Sequence, residues 1–346
     1  MLYITKTNLD QKTARAKHVK SLIKYSKYLN KDITFICKDN KSKNKIFFYL
    51  KVIYFLFKRP QSKIYTRDFD IALIIHILRR KGVFEIHQFG FIKRDLDLKF
   101  IYIRRFILFQ ILKSSRIQIV VLTKYSSQFL KRLFKQKLNK KIHVITDASD
   151  DLKMDNHIKT SCKKEKINLG YCGSFLPGKG GFESIKIAKD APQFNFLLAG
   201  PITKNQKLEI SNYSNCYYYG NLDEKSLENF YEECDILIAP VGKRIFLDFE
   251  KKNEITFFTS PLKIYEYIVK NKPIISTNCP STREFKDIKG IWLINKNDSL
   301  KTRAWINTII TISKDSLFRN DELIYKLRAK DIYNWGDRLN DMEKVL

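Results

Sequence analysis

Short aliphatic and β-branched runs alternate with longer stretches whose apolar residues recur every three or four positions. This alternation holds along almost the whole chain. In the first half, LYIT (2–5), ITFIC (33–37), KIYTR (63–67), VFEIH (83–87), IQIVVLT (117–123) and IHVIT (142–146) predict strands. Helical spacing falls between them, at ARAKHVKSLIKYSKYL (14–29), IALIIHILRR (71–80), a long segment within 97–113 and YSSQFLKRLF (125–134). Strands alternating with helices in this way predict a parallel sheet wound on both faces.

Residues 147–166, DASDDLKMDNHIKTSCKKEK, are polar and lysine-rich, have no period and read as a linker. A second series follows, with strands at INLGYCG (167–173), FNFLLAG (194–200), CYYYG (216–220), DILIAP (235–240), PIISTN (273–278) and IWLIN (291–295). Helices are expected near 181–189, at LENFYEEC (227–234), over 261–270 and from 299 onward. There is no short-period repeat; what repeats is the architecture, two α/β halves with a hinge between them. Ligands in such folds sit at the carboxyl ends of the strands, so a cleft between the halves is the expected site.

Composition fits this division. A chain of 346 residues suits two domains of roughly 150–200 residues each. The formal net charge of +29 has two open readings. One is the lysine-rich composition of an AT-rich genome, with most lysines solvated. The other is an anionic partner: phosphates, nucleic acid or an acidic membrane surface. The cysteines are scattered without a C-x-x-C pair, as expected of reduced thiols and not of a disulfide framework or zinc site. The start, MLYITKTNLDQK, has no signal-peptide pattern, and no run of about 18–20 uncharged apolar residues occurs. A cytoplasmic protein is expected. KNKIFFYLKVIYFLFKRP (43–60) and LKFIYIRRFILFQILKSSR (98–116) mix aromatic and basic residues at helical spacing. They fit either interfacial helices on the inner face of an anionic membrane or core-facing helices with basic outer faces.

Two segments carry candidate chemistry. In SPLKIYEY (260–267), Ser260 is a good N-cap and Pro261 a good first helical residue. Helix-start amides and Lys263 then favour an anion, and Glu266, one turn on, can accept hydrogen bonds from vicinal hydroxyls. In GYCGSFLPGKGGFESIKIA (170–188), a strand runs through a glycine-bearing turn with Lys179 into a helix. Its spacing matches neither G-x-G-x-x-G nor the P-loop.

GYCGSFLPGKGGFESIKIAKDAP, FNFLLAGP, YYYGNLDEKSLENFYEECDILIAP and SPLKIYEYIVKNKPIISTNCPSTREF together resemble family 4 glycosyltransferases in order, spacing and residue type. The N-terminal half resembles them more loosely, at ARAKHV (14–19), IYTRDFDIA (64–72), FEIHQFG (84–90), VVLTKYSSQFL (120–130) and HVITDASD (143–150). NWGDRL (334–339) is similar to the tryptophan-bearing helix that crosses back in that family. The resemblance implies the α/β GT-B fold: two Rossmann-like, doubly wound domains facing a central cleft. Residues 1–150 would bind the acceptor, 151–166 link, 167–328 bind a nucleotide-sugar donor, and 329–346 return to the N-terminal domain.

By position, the resemblance implies that Lys179 and Lys263 neutralise the donor diphosphate, with Ser260, Pro261 and Leu262 at the helix start. Gly173, Ser174, Gly180 and Pro201 would complete the donor site, and Glu266 would hold the nucleotide ribose. His87 would lie near the transferred sugar as a catalytic residue beside the two lysines; Arg15, His18 and Arg67 would meet the acceptor. Glu85 is assigned to the opposite strand face and left structural. The chain departs from the family at Phe258, where a sugar-reading glutamate often stands, and at Ser174, where an arginine often stands; Glu254 does not simply substitute for the former.

The implied reaction is metal-independent sugar transfer with retention to a saccharide or lipid-linked acceptor, in bacterial capsule, lipopolysaccharide or exopolysaccharide synthesis. A donor phosphate oxygen would help to take the acceptor proton. No cofactor is expected beyond the nucleotide sugar, and no metal. Asp-x-Asp occurs at Asp68–Asp70 and Asp95–Asp97, where caps and solvated faces explain it. The alternative is a non-catalytic or polyanion-binding basic protein on the same scaffold. No nucleic-acid partner is expected, because the basic residues are spread out and no recognition motif occurs.

Overall fold

The computed structural model describes residues 1–11, 13–38, 45–87, 98–134, 142–151, 166–251, 254–255, 260–318, 320–329 and 332–346. The chain forms two compact units. One comprises Met1–Ala148, Phe258–Ser260 and Tyr333–Leu346, the other Ser149–Phe257 with Pro261–Ile332. Each is built on a six-stranded parallel sheet covered by helices on both faces.

In the N-terminal unit the strands are β1 (Leu2–Thr5), β2 (Thr34–Cys37), β3 (Ile64–Thr66), β4 (Gly82–Ile86), β5 (Ile117–Val121) and β6 (Ile142–Val144), in the order β2-β1-β3-β4-β5-β6. Register aligns Tyr3 with Phe35 and Tyr65, and Tyr65 with Val83. Alternation sorts the side chains. Leu2, Ile4, Ile64, Phe84, Ile117 and Ile119 pack with α2 (Lys45–Lys58), α3 (Phe69–Ile77), α4 (Leu98–Lys113) and α5 (Lys124–Leu133). Tyr3, Tyr65, Val83 and Val120 pack against α1 (Ala14–Tyr28), together with Trp335, Leu339 and Met342 near the chain end. Each such side chain, once fully buried, contributes about 1.5–3 kcal/mol. The helix starts follow local chemistry: Thr13 and Thr123 accept hydrogen bonds from the amides of Ala16 (3.2 Å) and Ser126 (3.0 Å).

The C-terminal unit contains β7 (Asn168–Cys172), β8 (Asn195–Ala199), β9 (Cys216–Tyr218), β10 (Ile236–Ala239), β11 (Ile274–Asn278) and β12 (Ile291–Asn295), in the order β12-β11-β10-β7-β8-β9. Its helices are α6 (Gly181–Asp190), α7 (Lys204–Ser211), α8 (Glu224–Glu233), α9 (Leu262–Ile268), α10 (Thr302–Ser313) and α11 (Asp321–Arg328). α6 and α10 cover one face through Ile185, Trp305 and Ile309, and α8 and α9 the other through Phe230, Tyr267 and Ile268. The fully buried Arg328 donates to the carbonyls of Ile268, Lys272, Lys289 and Gly290 at 2.9–3.0 Å, tying the end of α9 to the turn before β12.

The chain end forms α12 (Trp335–Val345), which packs on α1 within the N-terminal unit. A reciprocal cap starts it: Asn334 accepts from the Asp337 amide at 2.9 Å and Asp337 from the Asn334 amide at 3.1 Å.

Three expectations change. Helix α9 begins at Leu262, with Pro261 at the capping position and Ser260 ahead of it. Pro261 has ψ 68°, outside the helical region, and its carbonyl accepts from the Ile264 amide at 2.8 Å. Helix α7 forms where no helix is predicted, because KNQKLEIS is polar and short; Thr203 and Gln206 cap each other across its first turn. Finally, Glu85 shares a face with His87 because residues two apart in a strand point the same way. β4 stops at Ile86, and the Glu85 carboxylate contacts the His87 ring.

Candidate functional site

Chemistry-bearing residues gather where strand order reverses, at the carboxyl ends of β7 and β10 in one unit and of β1 and β3 in the other. In the C-terminal unit, Tyr171 near the end of β7 organises the turn into α6. Its hydroxyl lies 2.8 Å from the Ser174 carbonyl and 3.1 Å from that of Lys179. From α9, Lys263 Nζ reaches over the same ring, 3.5 Å from its centroid and 3.4 Å from the Lys179 carbonyl. Gly173, with φ +153°, leaves room for this ammonium: a Cβ there would stand 2.8 Å from Lys263 Nζ. Gly180, with φ +115°, caps α6, and its amide donates to Glu183 at 3.1 Å. Tyr267 fixes α9 against β7 by accepting a 2.8 Å hydrogen bond from the Cys172 amide.

These neighbours desolvate the two ammonium groups, although part of each side chain stays accessible. Desolvation lowers Lys179 to about 8. Desolvation, with the nearby Lys179 charge adding to it, lowers Lys263 to about 7. Glu266 is half-buried one turn beyond Lys263 and close enough to oppose part of that shift. Two partly desolvated cations beside a turn of backbone amides can recognise a dianionic diphosphate.

In the N-terminal unit the cluster is a chain of ionisable groups. Arg67, just past β3, donates to Nδ1 of His18 at 3.0 Å and to Nδ1 of His87 at 2.9 Å. His18 Nε2 lies 3.2 Å from Asp147, and His87 Nε2 contacts Glu85. Glu85 also accepts from Tyr65 and, at 2.8 Å, from Arg338 of α12. Arg338 is fully buried and donates to the carbonyls of Ile145, at 3.1 Å, and Thr146. An arginine only donates, so both Nδ1 atoms accept and each ring carries its proton on Nε2. Burial, aided by Arg67, lowers His18 to about 4 and pushes His87 down, so both are neutral. Burial alone would raise Glu85, but Arg338 and then His87 hold it well below the usual carboxylate range.

Residues 169–315 match the family model described as Glycosyl transferases group 1. A curated relative from Bacillus subtilis (strain 168), "Putative teichuronic acid biosynthesis glycosyltransferase TuaH", is 32% identical over 127 residues, a match spanning 36% of this chain and 30% of that protein. Three solved structures are similar over nearly the full length. Sucrose-phosphate synthase from Thermosynechococcus elongatus superposes with a TM-score of 0.70 at 12% identity, covering 99% of this chain and 97% of that one. A glycosyltransferase from Rickettsia africae gives 0.69 at 15%, with the same coverage. Anabaena HepE in complex with UDP and glucose gives 0.66 at 11%, covering 100% and 99%. The fold is GT-B.

On this GT-B scaffold the structure brings Gly173, Ser174, Lys179, Gly180 and Lys263 together around Tyr171. Leu262 and Glu266 lie on α9, Ser260 and Pro261 ahead of it, and Pro201 is exposed beyond β8. His18, Arg67 and His87 meet in the second cluster. His18 is enclosed and offers no open edge to an acceptor. Both ring nitrogens of His87 are engaged, leaving none to take a proton as placed. Arg15 pairs with Asp68, which also accepts from the Lys6 amide at 2.8 Å; Asp70 pairs with Lys6, also at 2.8 Å, and with Tyr49. The first Asp-x-Asp is therefore held in ion pairs. Phe258 and the Asp95–Asp97 pair lie outside the described residues.

The sequence reading missed Tyr171, Glu85, Asp147 and Arg338. An aromatic inside a strand reads as core, and nothing local marks Tyr171 as the brace of a turn. Glu85 and Arg338 lie 253 positions apart. The one available signal was a glutamate inside a β-branched run, which needs a partner if buried.

Proposed function

We propose that the chain is a retaining, metal-independent glycosyltransferase of the family 4 type. The C-terminal unit takes a nucleotide diphosphate sugar and the N-terminal unit a saccharide or lipid-linked acceptor, in cell-surface polysaccharide synthesis. The observation that carries this is the Lys179–Lys263 cradle around Tyr171: two lowered lysines and a glycine turn at the carboxyl end of β7, inside the segment that matches Glycosyl transferases group 1. Departure of the diphosphate builds negative charge, which the two ammonium groups are positioned to offset. Glu266 holds the ribose hydroxyls. A donor phosphate oxygen takes the acceptor proton, because His87 has no free ring nitrogen; His87 positions Arg67. The relative named for teichuronic acid synthesis and the neighbour named with UDP and glucose support the polysaccharide and nucleotide-sugar parts of this reading.

The test is a panel of UDP-, GDP-, ADP- and CMP-sugars incubated in EDTA with candidate acceptors, following nucleotide release. One donor should be turned over by the wild type and hardly at all by Lys263→Met. Equal turnover by both proteins would remove the cradle from the reaction, and no turnover of any donor would count against the enzyme.

The described residues include no helix long and apolar enough to cross a membrane. Helices α2 and α4 instead expose large apolar side chains, with Phe47 63%, Phe57 71%, Tyr102 64% and Phe106 62% accessible. Neither helix contains an acidic residue, and Lys51, Lys58, Arg104 and Lys113 are exposed on them. This composition favours the inner face of an anionic bilayer, where each basic side chain contributes about 1 kcal/mol. Co-flotation with phosphatidylglycerol vesicles, weakened by Phe47→Ser/Phe57→Ser, is expected. Flotation unchanged by that pair would refute docking through α2.

A further inference from the structure

Arg67 is the first residue past β3, where strand order in the N-terminal sheet reverses. Imidazoles grip its guanidinium on two sides, with His18 and His87 each accepting one N–H through Nδ1. Neither acceptor is charged. The carboxylates stand behind the rings, Asp147 against His18 and Glu85 against His87, and Glu85 is bound in turn by Arg338. Among the described residues no carboxylate pairs with Arg67 itself. Its chain neighbour Asp68 is occupied by Arg15 and the Lys6 amide. The arrangement fixes a cation in place without neutralising it at contact distance.

A guanidinium has five N–H donors in a planar fork, and the two imidazoles account for two of them. Arg67 is half-buried, and no other partner among the described residues takes its remaining donors. A preoriented fork of this kind is the favoured partner of a carboxylate or phosphate oxyanion, which it binds in bidentate fashion. Arg67's charge helps to hold both histidines neutral, so the grip does not loosen at ordinary pH. A hydrogen-bonded link between two rings would need no cation; what the cation adds is attraction for an anion.

We propose that Arg67 is a preorganised oxyanion clamp that takes a carboxylate or phosphate carried by the acceptor saccharide. Assigning this unit to the acceptor rests on the glycosyltransferase reading; the clamp itself does not. His18 and His87 are then positioning residues for Arg67, with Asp147 and Glu85 fixing their tautomers.

The test uses the full chain with nitrogen-15-labelled histidine. At constant ionic strength it is titrated with glucuronate, sn-glycerol 3-phosphate, glucose and glycerol, and the His18 and His87 ring nitrogens are followed. At least one anion should shift both rings saturably, neither neutral compound should, and Arg67→Gln should weaken the binding at least tenfold. Arg67→Lys should keep part of it. Response to glucuronate alone identifies a uronic acid as the source of charge, and response to the phosphate alone a phosphate ester. The clamp is wrong if neither anion moves the rings, or if they respond equally to neutral and charged compounds. If Arg67→Gln does not fold, the wild-type comparison of anionic with neutral probes decides alone. Nucleotide-induced stabilisation, measured on the same samples, reports the donor site separately, so failure of the enzyme reading is distinguishable from failure of the clamp.

Discussion

Donor binding should take up protons, and the cradle sets how many. In the free protein Lys263 titrates at about 7 and Lys179 at about 8. A bound diphosphate places negative charge beside both, which raises both values. The sign follows: affinity is full below the free-state values and falls as pH rises through them. If both lysines are fully charged in the complex, binding takes up about 1.4 protons at pH 8 and about 0.1 at pH 6. Over pH 6 to 9 affinity then drops about a thousandfold, or about 4 kcal/mol. Titration calorimetry with a nucleotide sugar measures this directly, because its diphosphate is esterified at both ends and does not titrate in this range. At pH 8, the observed enthalpy plotted against the ionisation enthalpy of several buffers gives the uptake as its slope. Lys263→Met should lower that slope to about 0.5, the share left to Lys179. A slope near zero in the wild type, or one unchanged in Lys263→Met, would refute the reasoning.

Three further outcomes follow from the same geometry. Folding lowers Lys263 from 10.5 to about 7, so the unfolded chain binds more protons between those values and wild-type stability rises with pH across that window; without ligand, Lys263→Met should be more stable than wild type by about 1 kcal/mol or more at pH 6, and in urea melts the gap should narrow as pH rises above about 7 and close only towards 10.5. Gly173→Ala, which puts a Cβ 2.8 Å from Lys263 Nζ, keeps every charge but should weaken nucleotide binding at least tenfold in calorimetry. Arg338→Met leaves Glu85 buried without its cation and should destabilise the N-terminal unit by about 3–5 kcal/mol; Arg338→Met/Glu85→Gln should recover much of the loss in denaturant melts.

Much of the fold was legible because parallel strands buried on both faces leave continuous runs such as DILIAP and PIISTN, which no helical period disguises. The terminal helix was legible from NWGDRL, whose Asn334 and Asp337 make the reciprocal cap. Helix α7 was not, since its stability comes from the Thr203–Gln206 cap and a single buried face at Ile210, and KNQKLEIS has little apolar pattern. In the candidate site, the segments bearing Lys179, Lys263 and Glu266 stand out locally, and the resemblance, not spacing alone, implied their roles. The Tyr171 brace depends on a turn folding back over a strand, and the Glu85 seat on α12 returning to the N-terminal sheet. Those contacts are non-local, so periodicity carries no trace of them. Pro261 moved by one position because its own carbonyl, with ψ at 68°, closes the first turn ahead of the regular helix.

The central claim, that the cradle is a nucleotide diphosphate site, is tested most directly by thermal stabilisation with UDP, GDP, ADP and CMP in EDTA. At about 100 times its dissociation constant, the matching nucleotide should add about 2.7 kcal/mol to the wild type. That gain should shrink in Glu266→Ala and shrink most in Lys263→Met, a variant expected to be at least as stable as wild type without ligand. Stabilisation undiminished in Lys263→Met, or absent for every nucleotide in folded wild-type protein, would contradict the account.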